Sequence, residues 1–325
     1  LSKQKMKQVI FDTDIGIDDA MALVFLHCAK DVELLAITTA FGNASVENTT
    51  RNALYTKELF GMTAPVYQGA AGPLAASLFD SYPDFVHGEN GLGNIDVTVK
   101  WAQAEEASAA QAIVELVQNN PGEISIVAVG RMTNLADALE LCPDLPKLVA
   151  EVIVMGGAFG FNGHRGNVSP VAEANIAGDP TAADKVFRSG LPLTIVGLDV
   201  THETIMEREY FETLREEAGE VGEFVYAVSR YYLDFHKSHN GTYASPAHDP
   251  SAVAYLLRPD LYTTRDAIVR VALGGVGIGQ TIWADPAVNY QTGEWNDIPP
   301  CRICIGVDDQ AVLNLYRETL ATEIR

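Results

Sequence analysis

The chain has 325 residues, 47% of them hydrophobic, with 43 acidic against 22 basic side chains and a formal net charge of -21. That apolar share can fill a large core, either as one α/β domain or as a core with insertions. The negative balance weighs against a nucleic-acid backbone as partner and against a polyphosphorylated substrate, without excluding either at a local site. The four cysteines are too uneven to propose a disulfide framework.

In chain order, Val9 to Phe11 predicts a buried strand that runs into four carboxylates, Asp12, Asp14, Asp18 and Asp19, threaded around Gly16. Carboxylates at the carboxyl end of a buried strand suggest a hard-cation site or an acid/base pair. The alternative is that Asp18 or Asp19 caps the next helix, Ala20 to Cys28, with the others solvated. Leu34 to Thr39 predicts a second strand leading to Asn43, then a helix over 46–60 and a short strand and turn over 64–70. Residues 71–100 are rich in Gly, Pro, Asp and Asn, include HGENGLGN at 87–94, and read as a lid or substrate-side loop.

A helix at about 104–118 and a strand from Ile124 to Val129 follow, then a turn at Gly130 to Asn134 and a helix from Leu135 to Leu141. Glu151 to Met155 predicts a strand ending in Gly156-Gly157. The stretch 159–180 is long, polar and glycine-rich and carries Asn167, Glu173 and Asn175. A helix at 181–188, a strand from Leu193 to Val196, a mostly helical section over 203–238 and a loop over 239–250 come next. The helical SAVAYLL, strands between 268 and 307 and a helix at about 308–321 complete the chain. This alternation predicts an open, mostly parallel sheet flanked by helices, with the active site at the carboxyl ends of the strands. With no repeat or low-complexity linker, residues 1–325 read as a single domain. No apolar run approaches the ~18 residues of a membrane span, and LSKQKMKQ at 1–8 lacks the apolar core of a signal peptide, so the expected setting is soluble and cytoplasmic.

Asp14 is the carboxylate expected to serve both a metal and a water, since a hard divalent ion takes oxygen ligands and a neighbouring carboxylate can accept a proton. A main-chain carbonyl at another strand end could complete the shell. Asp249 is the candidate distant ligand, and His248 a proton donor near neutral pH, against the alternative of an exposed or capping histidine. There is no HExxH, no GxSxG and no phosphate loop, and GENGLG at 88–93 neither follows a strand nor opens a helix. Cys301 and Cys304 have a redox spacing but lie in a strand-like run. Tyr226, Tyr231, Tyr232 and Phe235 have the helical spacing of core residues, although a flat base could stack there.

DTDIGIDDA at 12–20, AFGN at 40–43, GNVSPVAEANIAGDP at 166–180 and HDP at 248–250 together resemble the inosine-uridine-preferring nucleoside hydrolase family over nearly the whole chain. The resemblance implies hydrolysis of the N-glycosidic bond of ribonucleosides with a tightly held Ca²⁺ in one α/β domain. It implies that Asp14 is calcium ligand and general base, that Asp19 and Asp249 are ligands, and that Val129 contributes its carbonyl. Asp18 and Asn43 would hold ribose hydroxyls. Asn167, Glu173 and Asn175 would contact the sugar, Asp249 would border the substrate, and Asp12 would support the cluster. His248 would face the leaving base with His87, and Tyr231, Tyr232, His236 and His239 are further candidates for base contacts.

The sequence departs from the family pattern at Ile15, where DTDPG has proline, at Arg131, where GPLTN reads GRMTN, and at Asn90, where aspartate is commoner. His87 with His248 resembles the pair of pyrimidine-preferring members, so the reading leans toward uridine and cytidine and leaves room for inosine. Family members are usually homodimers or homotetramers. The rival readings are a metal-dependent phosphohydrolase, for which Arg131 and Arg165 are the candidate phosphate contacts, and a non-catalytic calcium-dependent ribose-binding protein.

Overall fold

In the computed structural model, residues 6–76 and 78–322 are described. The reading of the amino terminus as free of a signal peptide falls mostly on residues 1–5, outside the described residues. Eleven strands occur among the described residues: β1 Lys7–Thr13, β2 Val32–Thr39, β3 Val66–Gln68, β4 Ile124–Ala128, β5 Glu151–Met155, β6 Leu193–Val196, β7 Ile205–Glu207, β8 Ala244–Pro246, β9 Tyr262–Val271, β10 Thr281–Ala284 and β11 Cys301–Val307. Nine form one sheet in the order β10-β9-β11-β6-β5-β4-β1-β2-β3, and β7 and β8 form a separate antiparallel pair. From β11 to β3 every pairing is parallel, while β9 runs antiparallel to both β11 and β10.

Alternation along β1 explains the layers. Val9 and Phe11 face one core together with the helices Ile17–Cys28, Gly219–Asn240, His248–Leu257 and Asp309–Leu320. Ile10 faces the other, with Ala109–Asn119, Thr133–Leu141 and Pro180–Phe187. A strand buried on both faces reads as an unbroken apolar run, which is why these strands were legible without a period of two. The chain steps from β1 outward to β2 and β3, then returns to place β4 on the other side of β1. That reversal opens a crevice at the carboxyl ends of β1 and β4, the usual ligand position in such sheets.

Several boundaries move. The first helix begins at Ile17 rather than Ala20, and Asp19 accepts from the amide of Gly16 at 2.8 Å, satisfying a free N–H at the helix start. The helix expected at 104–118 starts at Ala109, where Ser108 and Gln111 form a capping box. Within 71–100 a single turn, Asp84–His87, is helical. Within 159–180, Ala174–Gly178 is a short helix whose first amides are taken by the Glu173 side chain. The section 203–238 contains β7 and breaks at Ala218 between two helices. The final loop also holds β8, and its helix starts at His248, because Pro250 is tolerated in a first turn that has no N–H partner to lose.

All four cysteines are buried and free. Cys301 and Cys304 lie in β11, and burial pushes the Cys301 thiol up to about 12, which suits a core residue and not a redox pair. Among the described residues no helix is long and apolar enough to cross a membrane.

Candidate active site

The crevice gathers carboxylates from two helices that pack against each other, Ile17–Cys28 and His248–Leu257. Asp18, Asp19 and Asp249 each offer an oxygen within 4.8 Å of the other two, all three residues buried. Asp19 is the most firmly held. Its Oδ1 accepts from the Thr13 hydroxyl at 2.6 Å and the Asp14 amide at 3.1 Å, and its Oδ2 from Gly16 N and from Asn43 Nδ2 at 2.8 Å. The capping and metal readings of this aspartate are therefore compatible, since one carboxylate closes the helix start and faces the cluster.

Asp18 Oδ1 is buried with no hydrogen-bond partner. Burial, then the neighbouring Asp19 charge, pushes the Asp18 carboxyl up to about 8. Burial followed by Asp18 raises Asp249 well above the usual carboxylate range. Such groups stay ionised only when a cation compensates them. Three buried carboxylates, one with an orphaned oxygen, fit a hard oxygen-seeking ion such as Ca²⁺. The cluster includes Asp18, which the resemblance gave to the ribose.

Asp14 lies outside that group of three. Its Oδ2 accepts from Arg131 Nη1 at 2.5 Å and from the Asn43 amide at 2.9 Å, and its Oδ1 from Asn43 Nδ2 at 3.3 Å. Burial, then Asp19, raises its pKa, and Arg131 works against that rise. The Val129 carbonyl, one residue past β4, accepts from Asn175 Nδ2 at 2.6 Å. Glu173 accepts from the amides of Gly157, Asn175 and Ile176. Asn167 is exposed and closes its own loop by accepting from Ala174 N at 3.0 Å. Asp12 accepts from the Thr38 hydroxyl at 2.6 Å and from Asn134 Nδ2 at 2.8 Å, tying β1 to β2 and to the turn after β4.

A second wall is aromatic. His87 Nδ1 accepts from the Ile17 amide at 3.2 Å, and its ring stacks on Tyr232 at 5.8 Å. Tyr232 also meets His236 at 4.7 Å. His248 pairs through Nδ1 with the Thr201 hydroxyl at 2.9 Å and lies 5.3 Å from His202, whose other side meets His164. Burial lowers His248 well below the ordinary histidine value and holds His87 and His236 at about 4, so these imidazoles are neutral at pH 7. Tyr231 turns away and donates to the Asp84 carbonyl at 3.0 Å, and His239 stacks on Phe235 at 5.4 Å. Tyr226 packs under Arg215.

Sequence reasoning missed Thr13, Thr38, Asn134, Thr201 and His202 as members of this network. Thr13 and Asn134 stand inside quoted motifs, whereas nothing in the sequence marks Thr201.

Gly42 tests how tightly the site is built, because a Cβ there would sit 1.8 Å from Asp14 Oδ2 and 2.5 Å from Arg131 Nη1. Gly42→Ala is expected to lower kcat/KM by about 100-fold through displacement of Asp14, on the scale of a misplaced reacting group. Steady-state kinetics check this, and a loss under threefold would show that Asp14 has room to move.

The model of the inosine-uridine preferring nucleoside hydrolase family matches residues 9–314. Uridine nucleosidase 1 of Arabidopsis thaliana is 36% identical over 319 residues, covering 97% of this chain and 94% of that protein. The solved plant nucleoside hydrolase PpNRh1 is 37% identical and superimposes with a TM-score of 0.93 over 98% of this chain and 99% of that one. A purine-preferring ribonucleoside hydrolase from Gardnerella vaginalis follows at 32% identity and a TM-score of 0.88, over 97% and 98% of the two chains. Agreement over nearly the full length in both sequence and fold, around a buried carboxylate cluster at the β1/β4 crevice, shows that this chain belongs to the inosine-uridine preferring nucleoside hydrolase family.

Proposed function

We infer that this enzyme cleaves the N-glycosidic bond of ribonucleosides with water, using calcium, and that uridine and cytidine are better substrates than inosine. The single observation that carries the chemistry is the buried Asp18, Asp19 and Asp249 cluster at the switch point of the sheet. The base preference is supported by His87 and His248, buried and near enough for His87 to act on the charge of His248, and by likeness to a uridine nucleosidase.

In this reading Asp14, Asp19, Asp249 and the Val129 carbonyl hold the metal, and Asp14 also accepts the proton of the attacking water. Bound calcium would supply positive charge that acidifies water and orients the sugar hydroxyls. The side chains of Asp18 and Asn43 take ribose hydroxyls, and Glu173, Asn175 and Asn167 line the rest of the sugar. Holding C1′ in one place removes much of the entropic barrier. The surrounding carboxylates favour the positive charge that grows on the sugar as the bond breaks. His248 shares a hydrogen bond through Nδ1 with the Thr201 hydroxyl, and in the tautomer that accepts there its Nε2–H would hydrogen-bond the departing base, with Tyr232 and His236 as neighbouring contacts. Tyr231 and His239 remain candidates at the outer edge of the base wall.

His248→Ala is expected to slow uridine cleavage about 100-fold and p-nitrophenyl riboside less than 10-fold, because the second leaving group departs without a hydrogen-bond donor. Equal losses on both substrates would assign His248 to the sugar or to the scaffold.

The phosphohydrolase reading loses support because Arg131 is committed to Asp14. A panel of uridine, cytidine, inosine, adenosine and guanosine, assayed without phosphate for release of base and ribose, tests the whole reading. The highest kcat/KM on uridine or cytidine would support it. No turnover with calcium and ribose bound would favour the binding-protein alternative. We also take residues 1–325 as one domain and the protein as cytoplasmic, homodimeric or homotetrameric and without a nucleic-acid partner. Strands from both ends of the chain in one sheet and the net charge of -21 support the first and last of these. Light scattering would reject the oligomer if it gave a monomer mass.

A further inference from the structure

Arg131 stands in the turn after β4, buried to 4% exposure, and brings a planar guanidinium with five N–H donors into the pocket. Its Nη1 donates to Asp14 Oδ2 at 2.5 Å and to Asn175 Oδ1 at 3.3 Å, and its Nε is buried without a partner. The slot it occupies is built from two separate segments. A Cβ on Gly178 would lie 2.3 Å from Arg131 Nε, and one on Gly42 would lie 2.5 Å from Nη1. Both glycines leave room for a cation that reaches Asp14 from the side.

The consequence is electrostatic. Asp14, Asp18, Asp19, Asp249 and Glu173 are all buried in this region. An internal cation offsets part of that charge when no metal is bound, and repels a second cation entering the same pocket. Burial raises both Asp14 and Glu173, and Arg131 works against that rise in each, so its field reaches both sides of the pocket.

We propose that Arg131 is a built-in counter-cation of the carboxylate pocket, which holds Asp14 in the metal-free protein and competes with calcium for it. Calcium affinity is then weaker than these carboxylates would otherwise give, and the empty pocket is more stable. This rests on the reading of Asp14 as a calcium ligand beside the Asp18, Asp19 and Asp249 cluster.

Calorimetric titration of chelator-stripped protein with calcium tests it, using Arg131→Met, Arg131→Gln and Arg131→Lys. The expected result is a Kd at least tenfold tighter for the Met and Gln variants and within threefold of wild type for the Lys variant, which keeps the charge. In chelator, the Met and Gln variants are expected to melt below wild type by more than they do in saturating calcium. A merely structural arginine would lower affinity when removed. Should the Met variant not fold, the Gln and Lys variants carry the comparison alone. Calcium binding by the wild type with unchanged or weaker binding in the Gln variant overturns the role of Arg131 and leaves the metal pocket standing. Absence of calcium binding in wild type and variants alike overturns the pocket, and this role with it.

Discussion

Asp14→Asn is expected to lower kcat on uridine by roughly 10³-fold or more, the scale of losing a general base together with a metal ligand, the two roles proposed for Asp14. The far-UV circular dichroism and the cooperativity of melting stay close to wild type. The substitution is nearly isosteric, and the amide oxygen still accepts from the Asn43 amide and Arg131, the two partners of Asp14 Oδ2. What disappears is the carboxylate charge that would take the proton of the attacking water. Turnover within tenfold of wild type would remove Asp14 from the reaction. A collapse of the fold would instead mean that the Arg131 charge had been left unbalanced, since breaking a buried pair costs several kcal/mol, about 3–5. Melting curves of the variant separate the two results.

Metal-free protein is expected to lose stability as the pH rises from about 5 to 8, and calcium to restore it most at the upper end. Burial raises Asp14 and Asp249 well above the carboxylate range and Asp18 to about 8. The unfolded chain has these groups near their ordinary values of about 4, so between those limits the folded state holds more protons than the unfolded state. Stability from this source is present at low pH and is lost as the pH climbs through the folded values. Calcium replaces the protons as the compensating charge and adds stability by binding only the folded state. Differential scanning calorimetry in chelator and in excess calcium at pH 5, 6.5 and 8 reads this out. A gap between the two conditions that widens by roughly 5 °C or more across the range is expected, and a gap constant with pH would mean that the carboxylates are already ionised in the empty pocket.

The parallel sheet was readable because its strands are apolar on both faces and run into polar or turn-forming residues, as Phe11 gives way to Asp12 and Val129 to Gly130. The Asp84–His87 turn left no trace, since four residues carry no helical period. Asp249 joins Asp18 and Asp19 only because two buried helices cross, and spacing along the chain carries no record of that crossing. The HDP motif and the family likeness pointed to Asp249 as a metal ligand, and the crossing brings its carboxylate beside Asp18 and Asp19. Arg131 was legible as an anomaly in GRMTN, but its partner lies 117 positions away and its slot depends on the absent side chains of Gly42 and Gly178.

The two walls of the crevice differ in how they are anchored. The carboxylates hang on the end of β1 and on the starts of two helices sunk in the core. The proposed base wall draws His87 from a one-turn helix in a long irregular stretch, Tyr232 and His236 from the later part of the Gly219–Asn240 helix, and His248 from the start of a core helix. The enzyme is in effect modular at the level of a single pocket. On the proposed reading, exchanging residues 71–100 together with the outer turns of the Gly219–Asn240 helix is expected to shift the base preference, while the sugar half and His248 on its core helix stay common to every specificity.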